Sequence, residues 1–184
     1  NQFQIWKKKY PITKPEYYKQ ATKNNSYVFM KKLSDKTGKN DVLIPDASAN
    51  LIWAMQAFNI KGQKVFTAFN HSPMGYAMAA TIGAQYANPN SNIICTIGDG
   101  SMQMNIQELE TISFYKLPVK IFVLNNGGYG LIKLTQDMWL ESRKVGVDES
   151  SGLGMPDIIK VAKAYNLETI EITNHKEINK KLDY

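Results

Sequence analysis

Apolar residues recur along this chain in short runs, each ended by a cluster of small or polar residues. VLIP (42–45), VFTAF (65–69), NIICTI (92–97), VKIFVLN (119–125) and ETIEIT (168–173) have the length and β-branched content of strands. Helix-like stretches lie between them, near 49–58, 74–86, 104–115, 129–138 and 156–165. A further helix is expected from Tyr27, with Phe29, Met30 and Leu33 on one face and Gly38 as its stop. Strands that are apolar throughout and alternate with helices predict an α/β fold, a parallel β-sheet covered by helices on both faces. Residues 1–26 are polar, hold Pro11 and Pro15, and read as a linker from a preceding domain. Residues 27–184 read as the domain proper.

Ligands of such sheets sit beyond the carboxyl ends of the strands. There the chain reads DASAN, NHSPMG, GDGS and NNGGYG after the first four strands in turn. Four small, polar loops along one rim are the pattern of a site. Asp99 stands between Gly98 and Gly100 at the start of a helix expected near Ser101. Glycines admit a close ligand, and a helix start offers free N–H groups to an anion. A carboxylate beside a phosphate needs a cation between them, and magnesium, which takes oxygen ligands shared with phosphates, suits that place. Asn126 follows Asp99 by 27 residues, enough for one helix and one strand to bring both to adjacent strand ends. Asp-Gly and Asn-Asn-Gly-Gly are also ordinary turn sequences, and by themselves these motifs leave both readings open.

Composition narrows the class. The chain has 184 residues, 43% apolar and 21% charged, as in globular domains with a real core. No apolar run approaches the ~20 residues that span a bilayer. The single cysteine, Cys95, lies in an apolar run, and a reducing, cytoplasmic setting is expected. Of the net charge of +6, residues 1–40 carry +8, from ten Lys against Glu16 and Asp35, and the remainder carries −2. The basicity is local and reads as a solvated linker, so neither nucleic acid nor a membrane is expected as a partner. GDGSMQ has Gln103 where a dinucleotide fingerprint needs its third glycine, and no Gly-Lys-Ser/Thr ending forms a P-loop. His71 and His175 stand far apart without a second cysteine, which gives zinc little support. Asn1 in place of a Met start, and an end in HKEINKKLDY, read as a piece truncated at both ends.

The pair GDGS and LNNGG at this separation resembles the diphosphate-and-magnesium motif of thiamine-diphosphate-dependent enzymes. The match is to the C-terminal cofactor-binding domain of the acetolactate synthase and pyruvate decarboxylase group, and runs over roughly residues 27–182. PVKIFVLNNGGYGLIKLTQ and SGLGMPDIIKVAKAYNL look like the acetolactate-synthase-like branch found among sugar and capsule pathway enzymes.

The resemblance implies thiamine diphosphate and Mg2+ as cofactors. Asp99 and Asn126 would ligate magnesium through their side chains and Gly128 through its carbonyl. Gly98, Gly100 and Ser101 would cradle the diphosphate. Met74 would prop the cofactor into its bent form, the Ser72 carbonyl would accept from its pyrimidine amino group, and Gly75, Tyr76 and Tyr129 would border it. Ser48, Ala49 and Asn50 stand where the synthases have Gly-Gln-His, and their backbone N–H groups with the Asn50 amide would hold the terminal phosphate. Gly127-Gly128-Tyr129 replaces a loop that tends to be acidic in the synthases. The activating glutamate would come from an N-terminal pyrimidine-binding domain of the same or a neighbouring subunit, so no catalytic residue is expected in this chain. Met74, Tyr76, Leu131 and Trp139 would face that domain in a homodimer or homotetramer. The implied activity is decarboxylation of a small 2-keto acid, with transfer of the aldehyde unit to a second carbonyl. A decarboxylase of phosphono-, sulfo- or oxalyl-type acids and a non-catalytic relative are the alternatives.

Overall fold

The computed structural model describes residues 1–20 and 22–183, so Ala21 and Tyr184, which fall within the expected linker and domain, lie outside the described residues. Four parallel strands form one sheet: β1 (Val42–Pro45), β2 (Lys64–Val65), β3 (Ile93–Gly98) and β4 (Lys120–Leu124), in the order β2-β1-β3-β4. The chain runs outward from β1 to β2, then crosses back to β3 and on to β4. The direction of winding therefore reverses between β1 and β3.

Both sheet faces are covered, as the apolar runs predict. Alternation along a strand sends successive side chains to opposite faces. Val42, Ile44, Ile93, Cys95 and Ile97 pack beneath α4 (Tyr76–Ala87) and α6 (Glu108–Phe114), with α8 (Ile158–Ala164) contributing Ile158 and Val161. Leu43 and Ile94 face α2 (Ser26–Lys36), α3 (Ser48–Ala57) and Ile178 of α9 (His175–Leu182). Full burial of an Ile or Met side chain contributes about 1.5–3 kcal/mol, and Met30, Ile44, Met78, Ile93, Ile97 and Ile178 are all under 2% exposed. Cys95 lies inside this core. Desolvation pushes its thiol up to about 12, so it stays protonated and unreactive.

Several expectations are corrected. The second strand is only Lys64–Val65, because Phe66 and Phe69 turn outward and find no core. The helix expected over 104–115 splits into α5 (Asp99–Met102), a 3-10 turn (Gln103–Asn105) and α6, and its first turn begins at Asp99 itself. The segment 168–173 forms no strand. Its carbonyls are taken by side chains instead: Asn24 Nδ2 donates to Ile172 O at 2.6 Å, and Lys181 Nζ donates to Glu171 O. The expected linker holds helix α1 (Gln2–Lys9), capped by the Asn1 side chain and burying none of its residues. α7 (Gly130–Trp139) completes the helices among the described residues.

The C-terminal helix α9 is held against α2. His175 Nε2 accepts the Asn25 N–H at 2.6 Å, and Lys32 Nζ donates to His175 O at 3.0 Å. Glu177 in its first turn is held down to about 2 by Lys181, then by the Thr173 amide and Asn174. Its folded value lies below its ordinary 4.5, so this stabilisation is complete above 4.5 and is lost as pH falls towards 2. Glu177→Gln is expected to flatten the acid limb of α9 release, read as amide exchange of residues 175–182 between pH 4.5 and about 2.

Candidate cofactor site

The four strand ends converge on one cleft of about 60 Å3 at the point where the winding reverses. Its walls are Ala47, Ser48, Ala49 and Asn50 after β1, Met74 after β2, Gly98–Ser101 at the end of β3, and Asn126 and Gly128–Ile132 after β4. The location is the one open α/β sheets use for ligands.

Register makes the convergence close. Gly98 pairs with Leu124, so Asp99 and Asn125 leave the sheet side by side. Asp99 is 2% exposed. Its Oδ2 accepts N–H bonds from Gly127 at 2.7 Å and Gly128 at 3.1 Å, and its Oδ1 accepts from Gly100 at 2.9 Å. A carboxylate has about four lone-pair sites, so these three donors leave capacity for a cation. Asn126 lies exposed at the same edge, close enough to Gly130 that a Cβ there would fall 2.7 Å from its Nδ2.

The loop after β4 is braced from behind. Tyr129 N–H donates to Val147 O at 2.9 Å, and Gly128 forms an isolated antiparallel bridge with Asp148. Lys133 pairs with Asp148 and, with the Ser150 and Ser151 hydroxyls, holds its carboxyl well below the usual carboxylate range. Tyr129 lies so near Gly100 that a Cβ there would sit 2.4 Å from the ring.

Helix starts supply the electrostatics. α3, α5 and α7 begin at the cleft after Ala47, Gly98 and Tyr129, and none receives a side-chain cap. Away from the cleft, α1, α2, α8 and α9 are each capped by an Asn or Asp side chain, from Asn1, Asn25, Asp157 and Asn174, while α6 is not. The first N–H groups of a helix need acceptors, and here three sets lie beside one cavity. Asp99 carries the only charge among the described lining residues. An anion in this cleft therefore meets backbone dipoles and one acid, with no lysine or arginine. A divalent cation shared with Asp99 reconciles those two facts.

The sequence-derived residues divide into two groups. Ser48, Ala49, Asn50, Met74, Gly98, Asp99, Gly100, Ser101, Asn126, Gly128 and Tyr129 all line the cleft. Ser72, Gly75 and Tyr76 do not. Ser72 sits in a left-handed turn at φ 42°, Gly75 is buried behind Met74, and Tyr76 packs on the core. Asn50 lines the cleft but does not offer its amide N–H groups to it. Nδ2 donates to Thr96 O at 2.6 Å and to Asp46 O at 3.3 Å, so the expected phosphate contact through that amide is corrected. Trp53, Leu124, Leu131 and Ile132 line the cleft as well. Trp53 follows Asn50 by three residues on one helix, a spacing that places both on one face and that the sequence displayed.

Residues 46–184 match the family described as thiamine pyrophosphate enzyme, C-terminal TPP binding domain, and the chain belongs to that family. Among curated relatives it is similar to the acetolactate synthase large subunit of Cyanidium caldarium, 32% identical over 178 residues, which is 97% of this chain and 29% of that protein. It is also similar to the acetolactate synthase isozyme 2 large subunit of Escherichia coli strain K12, 31% identical over 157 residues, 85% of this chain and 28% of that protein. The acetolactate synthase large subunit of Buchnera aphidicola subsp. Schlechtendalia chinensis is 42% identical over 109 residues, 59% of this chain and 18% of that protein. The chain thus spans under a third of the length of these relatives.

Proposed function

We propose that this chain holds the diphosphate end of thiamine diphosphate, through Mg2+, in an acetolactate-synthase-like enzyme that decarboxylates a 2-keto acid and passes the aldehyde unit to a second carbonyl. One observation carries the reading: a single buried acid touches the neighbouring strand-end loop, inside a cleft walled by three helix starts that lack side-chain caps. Asp99, the Asn126 side chain and the Gly128 carbonyl are the protein oxygens for the ion. The N–H groups of Gly98 and Ser101 and of the first turn of α3 are the donors for the phosphates, while the Gly100 N–H is taken by Asp99 Oδ1. When bound, thiamine diphosphate supplies the nucleophilic carbon and the electron sink that the reaction needs. The chain's own part is to fix charge and orientation: Asp99 holds the β4–α7 loop, and Met74 narrows the cleft.

The activating glutamate belongs to a pyrimidine-binding domain beyond this chain, in the same or a neighbouring subunit of a homodimer or homotetramer. In support, α7 buries none of its residues, and Leu131, Ile132, Leu134, Met138 and Trp139 form an exposed apolar face continuous with the cleft. Trp139 is 77% exposed. Tyr76, packed on the core, is not part of that face. A cytoplasmic setting accords with a buried free cysteine, and among the described residues no helix is long and apolar enough to cross a membrane.

A non-catalytic relative is the second reading, favoured by the inward commitment of the Asn50 amide. Full-length protein titrated with thiamine diphosphate, with and without Mg2+, and then supplied with pyruvate and phosphono-, sulfo- and oxalyl-type acids, separates the two. Mg2+-dependent binding with release of carbon dioxide from one acid is the expected result. Binding without turnover of any acid, or no binding at all, removes the enzyme reading and supports the relative.

A further inference from the structure

Asp46 belongs to none of the roles described above, yet it is fully buried at the end of β1. Among the described residues no ion pair includes it. A charge withdrawn from water without a counterion is costly unless hydrogen bonds hold it. Here two do, both from distant backbone. Oδ2 accepts the Gly75 N–H at 3.1 Å and Oδ1 accepts the Ala77 N–H at 2.9 Å, across 29 and 31 residues of chain. Both donors lie at the start of α4, where the positive helix end favours a carboxylate.

The distance is the telling feature. α2, α8 and α9 take their caps from the residue at the helix boundary, which satisfies the helix and nothing else. The boundary residue of α4 is Gly75, at φ 87° and without a side chain to give. Its cap comes from another strand and so fixes where the turn lies in space. The turn is gripped from the other side as well. Asn105 Nδ2 donates to Gly75 O at 3.0 Å, and a Cβ on Gly75 would fall 2.9 Å from that nitrogen and 3.2 Å from Ser101 O. Asp46 and Asn105 thus pin three successive peptide groups, 74–75, 75–76 and 76–77, between the end of β1 and the segment that follows Gly98–Ser101. Met74, which lines the cleft, is the residue immediately before them.

We infer that Asp46 is a positioning residue: its carboxylate locks the Gly75 turn so that Met74 stands at a set place relative to the diphosphate loop. This rests on the cofactor reading proposed above. Asp46 acts on the thiamine end of the ligand, through Met74, and not on the phosphate end.

The test compares two ligands on full-length protein in the presence of Mg2+: thiamine diphosphate, which meets Met74, and inorganic pyrophosphate, which does not. Asp46→Asn keeps the shape but sets an amide N–H2 against a backbone N–H. We expect thiamine diphosphate affinity to fall about 10–100-fold, the usual cost of removing an outer orienting partner, with pyrophosphate affinity unchanged. Met74→Ala should show the same split, and the double variant should bind no worse than the weaker single, because both changes remove one function. Asn105→Ala, which releases the same turn from its accessible side, should reproduce the split and serves if Asp46→Asn does not fold. Equal loss of both ligands, additive losses in the double variant, or unchanged thiamine diphosphate binding would each overturn the assignment. Wild-type protein that fails to bind thiamine diphosphate overturns the cofactor reading, and the assignment falls with it.

Discussion

Asp99→Asn is expected to leave the domain folded and to strip it of thiamine diphosphate. The asparagine carbonyl can take the place of Oδ2 and accept the Gly127 and Gly128 N–H groups, so the loop lock survives, while the bond from the Gly100 N–H is lost to the amide N–H2. What goes is the negative charge, and with it the only anionic ligand that the described lining residues offer to a cation. Without that ion the two phosphates meet helix N–H groups alone, and no lysine or arginine lines the cleft to replace it. The loss should exceed the ~100-fold that removal of an outer-shell partner causes. Calorimetric titration with thiamine diphosphate and Mg2+, beside a thermal melt, reads both halves of the claim. Asp99→Ala goes further and leaves the Gly127, Gly128 and Gly100 N–H groups without an acceptor, at about 1–3 kcal/mol for each that stays buried. Undiminished binding by Asp99→Asn would refute the site.

Gly128→Ala should damage both fold and site. A Cβ there would sit 2.1 Å from Val147 O and 3.1 Å from its carbonyl carbon, and both are backbone atoms that cannot swing aside. Either the loop after β4 moves or the 145–152 segment does. Both courses break the Tyr129 N–H bond to Val147 O and withdraw a donor from Asp99. Overpacking of this kind costs about 1–3 kcal/mol, visible as a lower Tm, and Mg2+-dependent cofactor binding should weaken with it. Gly98→Ala is the counterpart. Nothing lies within 4 Å of a Cβ at that position, and its φ of −80° suits any residue. It should melt near wild type, and any loss of cofactor then reports how closely the ligand approaches the backbone. A normal Tm and normal binding for Gly128→Ala would show that the loop is not braced as described.

Much of this was legible in the sequence because the relevant signals are local. Runs of apolar residues gave the strands β1, β3 and β4, and their periodic breaks gave α2, α3, α4 and α7 to within two residues. Small polar loops after each strand located the rim. The misses share one cause, a dependence on partners elsewhere in the chain. ETIEIT has strand character, yet Asn24 and Lys181 take carbonyls that a ladder would use. VFTAF makes its last bond to β1 from the Phe66 N–H to Leu43 O, and Phe66 and Phe69 lie exposed with no core to enter. α1 is the exception: it buries none of its residues, and its cap, Asn1, is local.

The sequence by itself determined the covered parallel sheet, the rim that carries the site, and the arrival of Asp99 and Asn126 at its edge, since each depends on periodicity and spacing within a few dozen residues. Only the tertiary structure decided which lone pair meets which N–H. Asn50 turned its amide towards Thr96, away from any ligand, and Asp46, unremarkable in VLIPDAS, reached across to the start of α4. Hydrogen bonds are directional over about 3 Å, and orientation at that scale is settled when separate elements dock, not along the chain.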